Sequence, residues 1–197
     1  MTTATGFSHP GARAASAGAS GGGPAPAPAG RRLRAMGVVA EVVHETPTGT
    51  VASELLGRYF DELDTRLPGG FNPTAHVATP AAELRPPVGT FLVARVTGRP
   101  VGCGALRPLD ETAAEIKHMW VDPWIRGHGV GRRLLAELEQ AAAGLGFATV
   151  RLDTSVHLPG AVALYRSSGY HEIPAYNDNP YAGHWFEKHL AAAGPGS

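Results

Sequence analysis

Residues 114–135 read AEIKHMWVDPWIRGHGVGRRLL, and this stretch decides the fold. The apolar-rich run at 115–121 predicts a strand, which Asp122-Pro123 ends because proline cannot donate to a strand ladder and restricts the residue before it. A glycine-rich loop follows at 126–131, and the next residues begin a helix. Glycines let backbone N–H groups turn toward one point, and a helix start adds partial positive charge there. The stretch therefore predicts a receptor for phosphate oxygens.

Two common nucleotide-binding loops can be tested against this stretch. A Walker loop needs Gly, four residues and Gly-Lys-Ser/Thr, and the stretch contains no such run. A dinucleotide fingerprint needs G-x-G-x-x-G. The sixth position is Arg132 when counted from Gly127, and Leu134 when counted from Gly129, so this pattern fails as well. A nucleotide-phosphate binder of another class and a plain glycine-rich turn stay open as alternatives.

The segment after the loop predicts a crossover. Apolar spacing predicts a helix over 130–145, and FATVRL at 147–152 predicts the next strand. A strand–helix–strand connection of this length is right-handed and joins parallel strands. The loop then lies at the C-terminal end of the central strand, which is the usual ligand edge of such a sheet.

Two motifs in this region resemble those of the GNAT N-acetyltransferase family. The first is similar to the family's acyl-CoA pyrophosphate loop and consists of Arg126, Gly129 and Gly131. The second is Ala-x-x-Leu-Tyr-x-x-x-Gly-Tyr, formed by Ala161, Leu164, Tyr165, Gly169 and Tyr170. The family often has Asn three residues before that alanine, whereas this chain has Leu158, which puts a side-chain contact to CoA in doubt. The resemblance spans 88–190 and is firmest over 114–171.

The resemblance implies a fold and a co-substrate. The fold is α/β (α+β), with a mixed six- to seven-stranded sheet, helices on both faces and a splayed central parallel strand pair. The co-substrate is acetyl-CoA, and no metal is implied. The backbone of Met119, Trp120 and Val121 would bind the pantetheine arm, and one N–H there would hold the thioester oxygen. The phosphate-binding residues implied are Arg126, Gly127, His128, Gly129, Val130, Gly131 and Arg132.

The resemblance also implies an activity, the transfer of acetyl to a primary amine of a small molecule, peptide or protein by direct attack on the thioester. A primary amine has a pKa near ~10 and must first lose a proton. Glu115, at a position where relatives carry a catalytic Glu, is the candidate base; the alternative is an ordinary strand salt bridge. Tyr165 is the candidate general acid and a CoA contact; the alternative is a core tyrosine. A non-catalytic acyl-CoA sensor with the same fold is the rival function.

The rest of the domain follows from periodicity and turn residues. Strands are predicted at 37–43, 89–96, 100–106, 170–173 and 183–190, and helices at 50–63 and from Pro159 to Ser167 or Ser168. In acetyltransferases of this type, the segment after the first helix borders the acceptor pocket. Acceptor choice is therefore expected in 64–87 and 174–184. Asp61, Glu62 and Asp64 lie near that pocket or simply form a solvated helix face.

Composition limits the partners. Residues 1–35 hold four arginines and no acid, so the remainder carries net −4 although the chain is neutral overall. This acidic body argues against nucleic-acid binding. The Ala/Gly/Pro-rich tail at 1–35 is expected to be disordered, as is the end at 191–197, leaving a domain at 36–190.

Cysteine content and apolar runs indicate the compartment. One cysteine, Cys103, precludes a disulfide within the chain and fits a reducing cytoplasm. No apolar run approaches ~18 residues, so no membrane span is expected. The histidines show no metal-ligand spacing. Homodimers are common in this fold, but nothing in the sequence requires one.

Overall fold

The computed structural model describes residues 38–73 and 79–191. The tail predicted for 1–35 lies outside the described residues, as do residues 192–197 of the predicted C-terminal end. Within the described part, strands and helices follow one another in the predicted order. The elements are β1 Glu41–His44, α1 Thr50–Arg66, β2 Thr90–Val96, β3 Arg99–Pro108, β4 Ala113–Val121, α2 Val130–Gly144, β5 Thr149–Thr154, α3 Pro159–Ser167, β6 His171–Ile173 and β7 His184–His189.

Several predicted boundaries shift by a few residues. The first strand begins at Glu41 rather than at 37, and the segment predicted as loop at 67–87 contains a short 3₁₀ turn at Ala81–Leu84. The strand predicted at 147–152 runs from Thr149 to Thr154 instead. Apolar spacing locates an element well but does not record where its last hydrogen bond falls.

The strands form one mixed seven-stranded sheet in the order β1-β2-β3-β4-β5-β7-β6. β4 and β5 are parallel, whereas the other neighbours are antiparallel. The parallel pair has its register at Ala113↔Thr149, Ala114↔Val150 and Glu115↔Arg151 and parts beyond it, although both strands continue. The predicted splay is therefore confirmed. Main-chain groups on the parted edges have no neighbouring strand to pair with, so they are available to a ligand.

Helices cover both faces of the sheet, as predicted. Leu134 and Leu138 of α2 are buried in a core that includes Leu92 of β2. Leu55 of α1 is buried in a second core with the adjacent strand residue Phe91. Successive side chains of a strand point to opposite faces, so α1 and α2 lie on opposite sides of the sheet. Each such large apolar side chain contributes about 1.5–3 kcal/mol on full burial, so both layers hold β4 and β5 in place.

No helix among the described residues is both long and apolar enough to cross a bilayer.

Candidate active site

A groove of about 560 Å³ opens where β4 and β5 part. Most of the residues predicted to bind the co-substrate line it, namely Met119, Trp120, Val121, Arg126, Gly127, Gly129, Gly131, Arg132 and Tyr165. His128 and Val130 of the predicted set do not line it. Val130 is buried beside Ile125, and the His128 ring Nδ1 lies 2.9 Å from the carbonyl oxygen of Arg126.

The loop before α2 lines this groove and contains main-chain N–H groups that are not hydrogen-bonded within the described residues. The amides of Gly127, Gly129, Val130, Gly131 and Arg132 have no hydrogen-bond acceptor among the described residues. Gly129 is the N-cap of α2 and has φ 86°, ψ −6°, a left-handed conformation that L side chains rarely adopt. Amides left open at a helix start, together with the helix dipole, form an anion-binding site.

A smaller cavity of about 100 Å³ adjoins the groove. Both are lined by the same five residues, which we call the shared wall: Tyr59, Met119, Leu158, Ala161 and Tyr165. Beyond the shared wall the small cavity is lined by aromatic side chains of α1 and of the segment after it, and by polar residues at the end of β5. The arrangement provides a long groove for one substrate and a separate recess for a second.

Residues 56–170, more than half of the chain, match the model of the acetyltransferase (GNAT) family. The chain belongs to this family. It is 34% identical to an IAA acetyltransferase of Azospirillum brasilense over 66% of this chain and 82% of that protein. It is 36% identical to the N-alpha-acetyltransferase RimI of Mycobacterium tuberculosis over 57% of this chain and 70% of that protein.

The fold is also similar to that of a GNAT acetyltransferase of Elizabethkingia anophelis whose structure has acetyl-CoA bound. The two chains share 17% identity with a TM-score of 0.52, and the match covers 77% of this chain and 98% of that one. This likeness concerns the fold. The enzyme class predicted from the sequence, an acyltransferase with a GNAT fold, is confirmed.

In this GNAT acetyltransferase the two predicted phosphate-binding arginines contact other protein groups. Arg126 donates from Nη1 and Nη2 to the two carboxylate oxygens of Glu62, at 2.9 and 2.5 Å, and from Nε to the Val121 carbonyl at 2.7 Å. Arg132 donates to the carbonyl and hydroxyl oxygens of Ser167, at 3.2 and 3.0 Å. These side chains connect the loop to α1 and α3, whereas the amides of the loop have no acceptor among the described residues.

Glu62 is more than part of a solvated helix face. It also accepts a hydrogen bond of 2.7 Å from Trp120 Nε1, and it lines the groove. Partial burial opposes its ionisation, but the hydrogen bonds from Arg126 and Trp120 outweigh burial and lower its pKa. Asp64 instead accepts from the Phe71 amide, at 2.9 Å, and Asp61 is exposed.

Tyr165 lies where the two cavities meet. Its side chain is buried, and its hydroxyl makes no hydrogen bond to the described residues. Burial raises its pKa above the ordinary value, and the negative charge of Asp153 adds to the shift. The hydroxyl therefore keeps its proton at every physiological pH. Its ring also packs 5.9 Å from that of Tyr170, so the core and groove descriptions of this tyrosine both apply.

Glu115 lies in a buried ion-pair cluster rather than on a cavity wall. It accepts from Arg107 Nε at 2.7 Å and Tyr176 Oη at 3.0 Å, with Lys117 Nζ at 3.5 Å. Burial raises its pKa, but Lys117 and Arg107 outweigh burial and hold the pKa below the ordinary value. This geometry favours the salt-bridge interpretation. The base role stays a prediction, and it requires relay through neighbouring groups.

Sequence reasoning missed the polar groups that reach the small cavity. Asp153 at the end of β5 accepts from Asn177 Nδ2 at 2.6 Å and Asn179 Nδ2 at 2.8 Å. Asn177 Nδ2 also lies 3.3 Å from Glu115, so it bridges the two carboxylates. The segment 174–184 was predicted to govern acceptor choice, but no periodic pattern identifies which of its side chains point inward.

Metal chemistry has no evident site in the described residues. They contain no group of three or more His, Cys, Asp or Glu side chains placed to hold an ion.

Proposed function

We propose that this protein transfers acetyl from acetyl-CoA to a primary amine while both substrates are bound. The observation that supports this proposal is that a long groove, whose loop has main-chain amides without an acceptor in the described part of the chain, adjoins a small recess at the shared wall. The diphosphate would bind the amides between Gly127 and Arg132, and the pantetheine arm would follow 119–121 of β4 toward Tyr165. The open amides and the lining of the groove fit this ligand.

The transfer forms a bond from the amine nitrogen to the thioester carbon and breaks the carbon–sulfur bond. A main-chain N–H of the parted β4 edge would stabilise the negative charge that develops on the carbonyl oxygen. Tyr165 would donate a hydrogen bond to the departing sulfur. A thiol has a pKa of about 8.5, so complete proton transfer from this tyrosine is uphill, and the donated hydrogen bond is what Tyr165 supplies.

The proton on the amine needs an acceptor. We propose Glu115, reached through water and the Tyr176 hydroxyl, because this hydroxyl donates to the carboxylate at 3.0 Å while its oxygen can accept a hydrogen bond from water. Glu115→Gln separates this role from a structural one. A base role lowers kcat and changes the pH dependence of kcat; an ion-pair role alone lowers the melting temperature and leaves that pH dependence unchanged.

Two measurements test the function. Acetyl-CoA should raise the melting temperature of the purified chain, whereas ATP and NAD should not. A panel of primary amines should then release free thiol from acetyl-CoA above the rate without amine. Stabilisation by ATP or NAD alone would contradict the acyl-CoA site. Stabilisation by acetyl-CoA without thiol release for any amine would support the non-catalytic sensor instead.

A further inference from the structure

The small cavity is lined by a carboxylate that has no ion-pair partner among the described residues. Asp153 lines it, and both of its oxygens accept hydrogen bonds from the side-chain amides of Asn177 and Asn179. Among the described residues, Asp153 has no Lys, Arg or His nitrogen within ion-pair distance, although Lys117, which pairs with Glu115 at 3.5 Å, and His118 line the same cavity. Amide donors fix the position of a carboxylate but do not compensate its charge, so a cation that enters the cavity can pair with Asp153.

Glu115, the buried carboxylate of this region, differs from the partly buried Asp153. Glu115 has Arg107 and Lys117 beside it, so its charge is compensated within the protein. Burial is the largest cause of the raised pKa values of Tyr59, Tyr165 and Tyr176, and the electrostatic effect of Asp153 adds to each of them. Of the two carboxylates that Asn177 connects, the cavity-lining one is therefore the one without an ion pair in the described part of the chain.

Aromatic rings form the opposite side of the cavity. The ring centroids of Tyr59 and Phe60 are 5.5 Å apart, those of Phe60 and Phe71 5.4 Å, and those of Phe71 and Tyr181 4.9 Å. All four side chains line the cavity. Such rings attract both apolar groups and cations. A closed cavity of about 150 Å³ accommodates benzene, so this recess of about 100 Å³ holds the amine and only part of a flat body, and the rest of the acceptor must extend out of the recess.

From this placement we infer that the acceptor is a small primary amine, bound as its cation to Asp153, on a flat apolar body that packs against Phe71 and Tyr181. The carbon beside the nitrogen carries no carboxylate, because a second negative charge there would face Asp153. This inference rests on the proposed function and narrows its acceptor to arylalkylamine-like compounds, excluding free α-amino acids.

Three compounds of similar shape test the inference by calorimetry: 2-phenylethylamine, its neutral analogue 2-phenylethanol, and L-phenylalanine. Each is titrated into the full chain with and without saturating CoA. We expect the amine to bind at least about tenfold more tightly than the alcohol or the amino acid, the scale of a charge-assisted hydrogen bond. Equal binding of the amine and the alcohol, or tighter binding of L-phenylalanine, would overturn the inference.

A matched pair of variants locates the effect. Asp153→Asn should remove the preference for the amine over the alcohol. Asp178→Asn, the same change at an exposed residue of the neighbouring loop, should retain it. An equal loss in both variants, or in neither, contradicts the role of Asp153. If Asp153→Asn does not fold, the wild-type comparison alone decides. Failure of CoA to bind counts against the proposed function, whereas the titrations without CoA still report on Asp153.

Discussion

Replacement of Gly129 by Ala tests the conformation on which the groove depends. Gly129 has φ 86° at the N-cap of α2, and a Cβ added there would meet no atom within 4 Å. The cost of the substitution therefore comes from the backbone conformation and not from a clash. An L-residue in the left-handed region costs about 1–2 kcal/mol, which lowers the melting temperature by about 2–8 °C in a domain of this size.

The same change should weaken the anion site. If the backbone relaxes toward negative φ, the neighbouring amides of Val130 and Gly131 rotate away from the groove. The rise in melting temperature caused by acetyl-CoA should then be smaller in the variant than in the wild type, because that rise follows the ratio of ligand concentration to Kd. Differential scanning fluorimetry over a series of acetyl-CoA concentrations measures both quantities.

Gly57→Ala is the control, because Gly57 lies inside α1 and a Cβ there also meets no atom within 4 Å. In a helix interior Ala is favoured over Gly by about 0.5–1 kcal/mol, so this variant should gain stability and keep the full response to acetyl-CoA. The reasoning is refuted if Gly129→Ala melts at or above the wild-type temperature, or if it keeps the wild-type response to acetyl-CoA.

Three further substitutions test the site. Tyr165→Phe should lower kcat at least about tenfold with little change in the KM for acetyl-CoA, and unchanged steady-state turnover would remove Tyr165 from the mechanism. Burial opposes ionisation of Glu115, but Lys117 and Arg107 hold its pKa below 4.5, so its stabilising contribution is complete above pH 4.5 and is lost as pH falls through the folded-state pKa. In Glu115→Gln the melting temperature should therefore fall less steeply as the pH is lowered below 4.5 than it does in the wild type. An unchanged dependence of the melting temperature on acidic pH would contradict the ion-pair account. Glu62→Gln should release Arg126 and so tighten acetyl-CoA binding by up to about fivefold, as measured by calorimetry at low salt. Weaker binding would show instead that the Glu62–Arg126 ion pair maintains the shape of the groove.

Local sequence patterns were sufficient to predict the helices, the strands and the loop before α2. The leucine spacing of α2 and the glycines before it predicted a helix that begins at an open set of amides, because both signals lie within a few residues of each other. The crossover rule then placed this loop beside β5. The parallel pairing followed from the same rule, whereas the splay of the two strands followed from the resemblance and not from the residues.

Side-chain partners distant in sequence could not be predicted. Arg126 meets Glu62 across 64 positions, and nothing in either local pattern signals that pairing. Asp153 meets Asn177 across 24 positions, through a segment without helical or strand periodicity. His118 adopts φ 54° inside β4, which propensity alone would not place there. Such contacts are set by how the layers pack.

The shared wall links what the donor carries to what the acceptor can be. Tyr59, Met119 and Tyr165 border both spaces, so in the proposed reaction the same side chains would contact the acyl group and the incoming amine. Each carbon added to the acyl chain occupies volume that the acceptor would otherwise fill. A longer acyl group is therefore expected to require a smaller acceptor. Shortening one of these side chains should allow both longer acyl groups and larger acceptors.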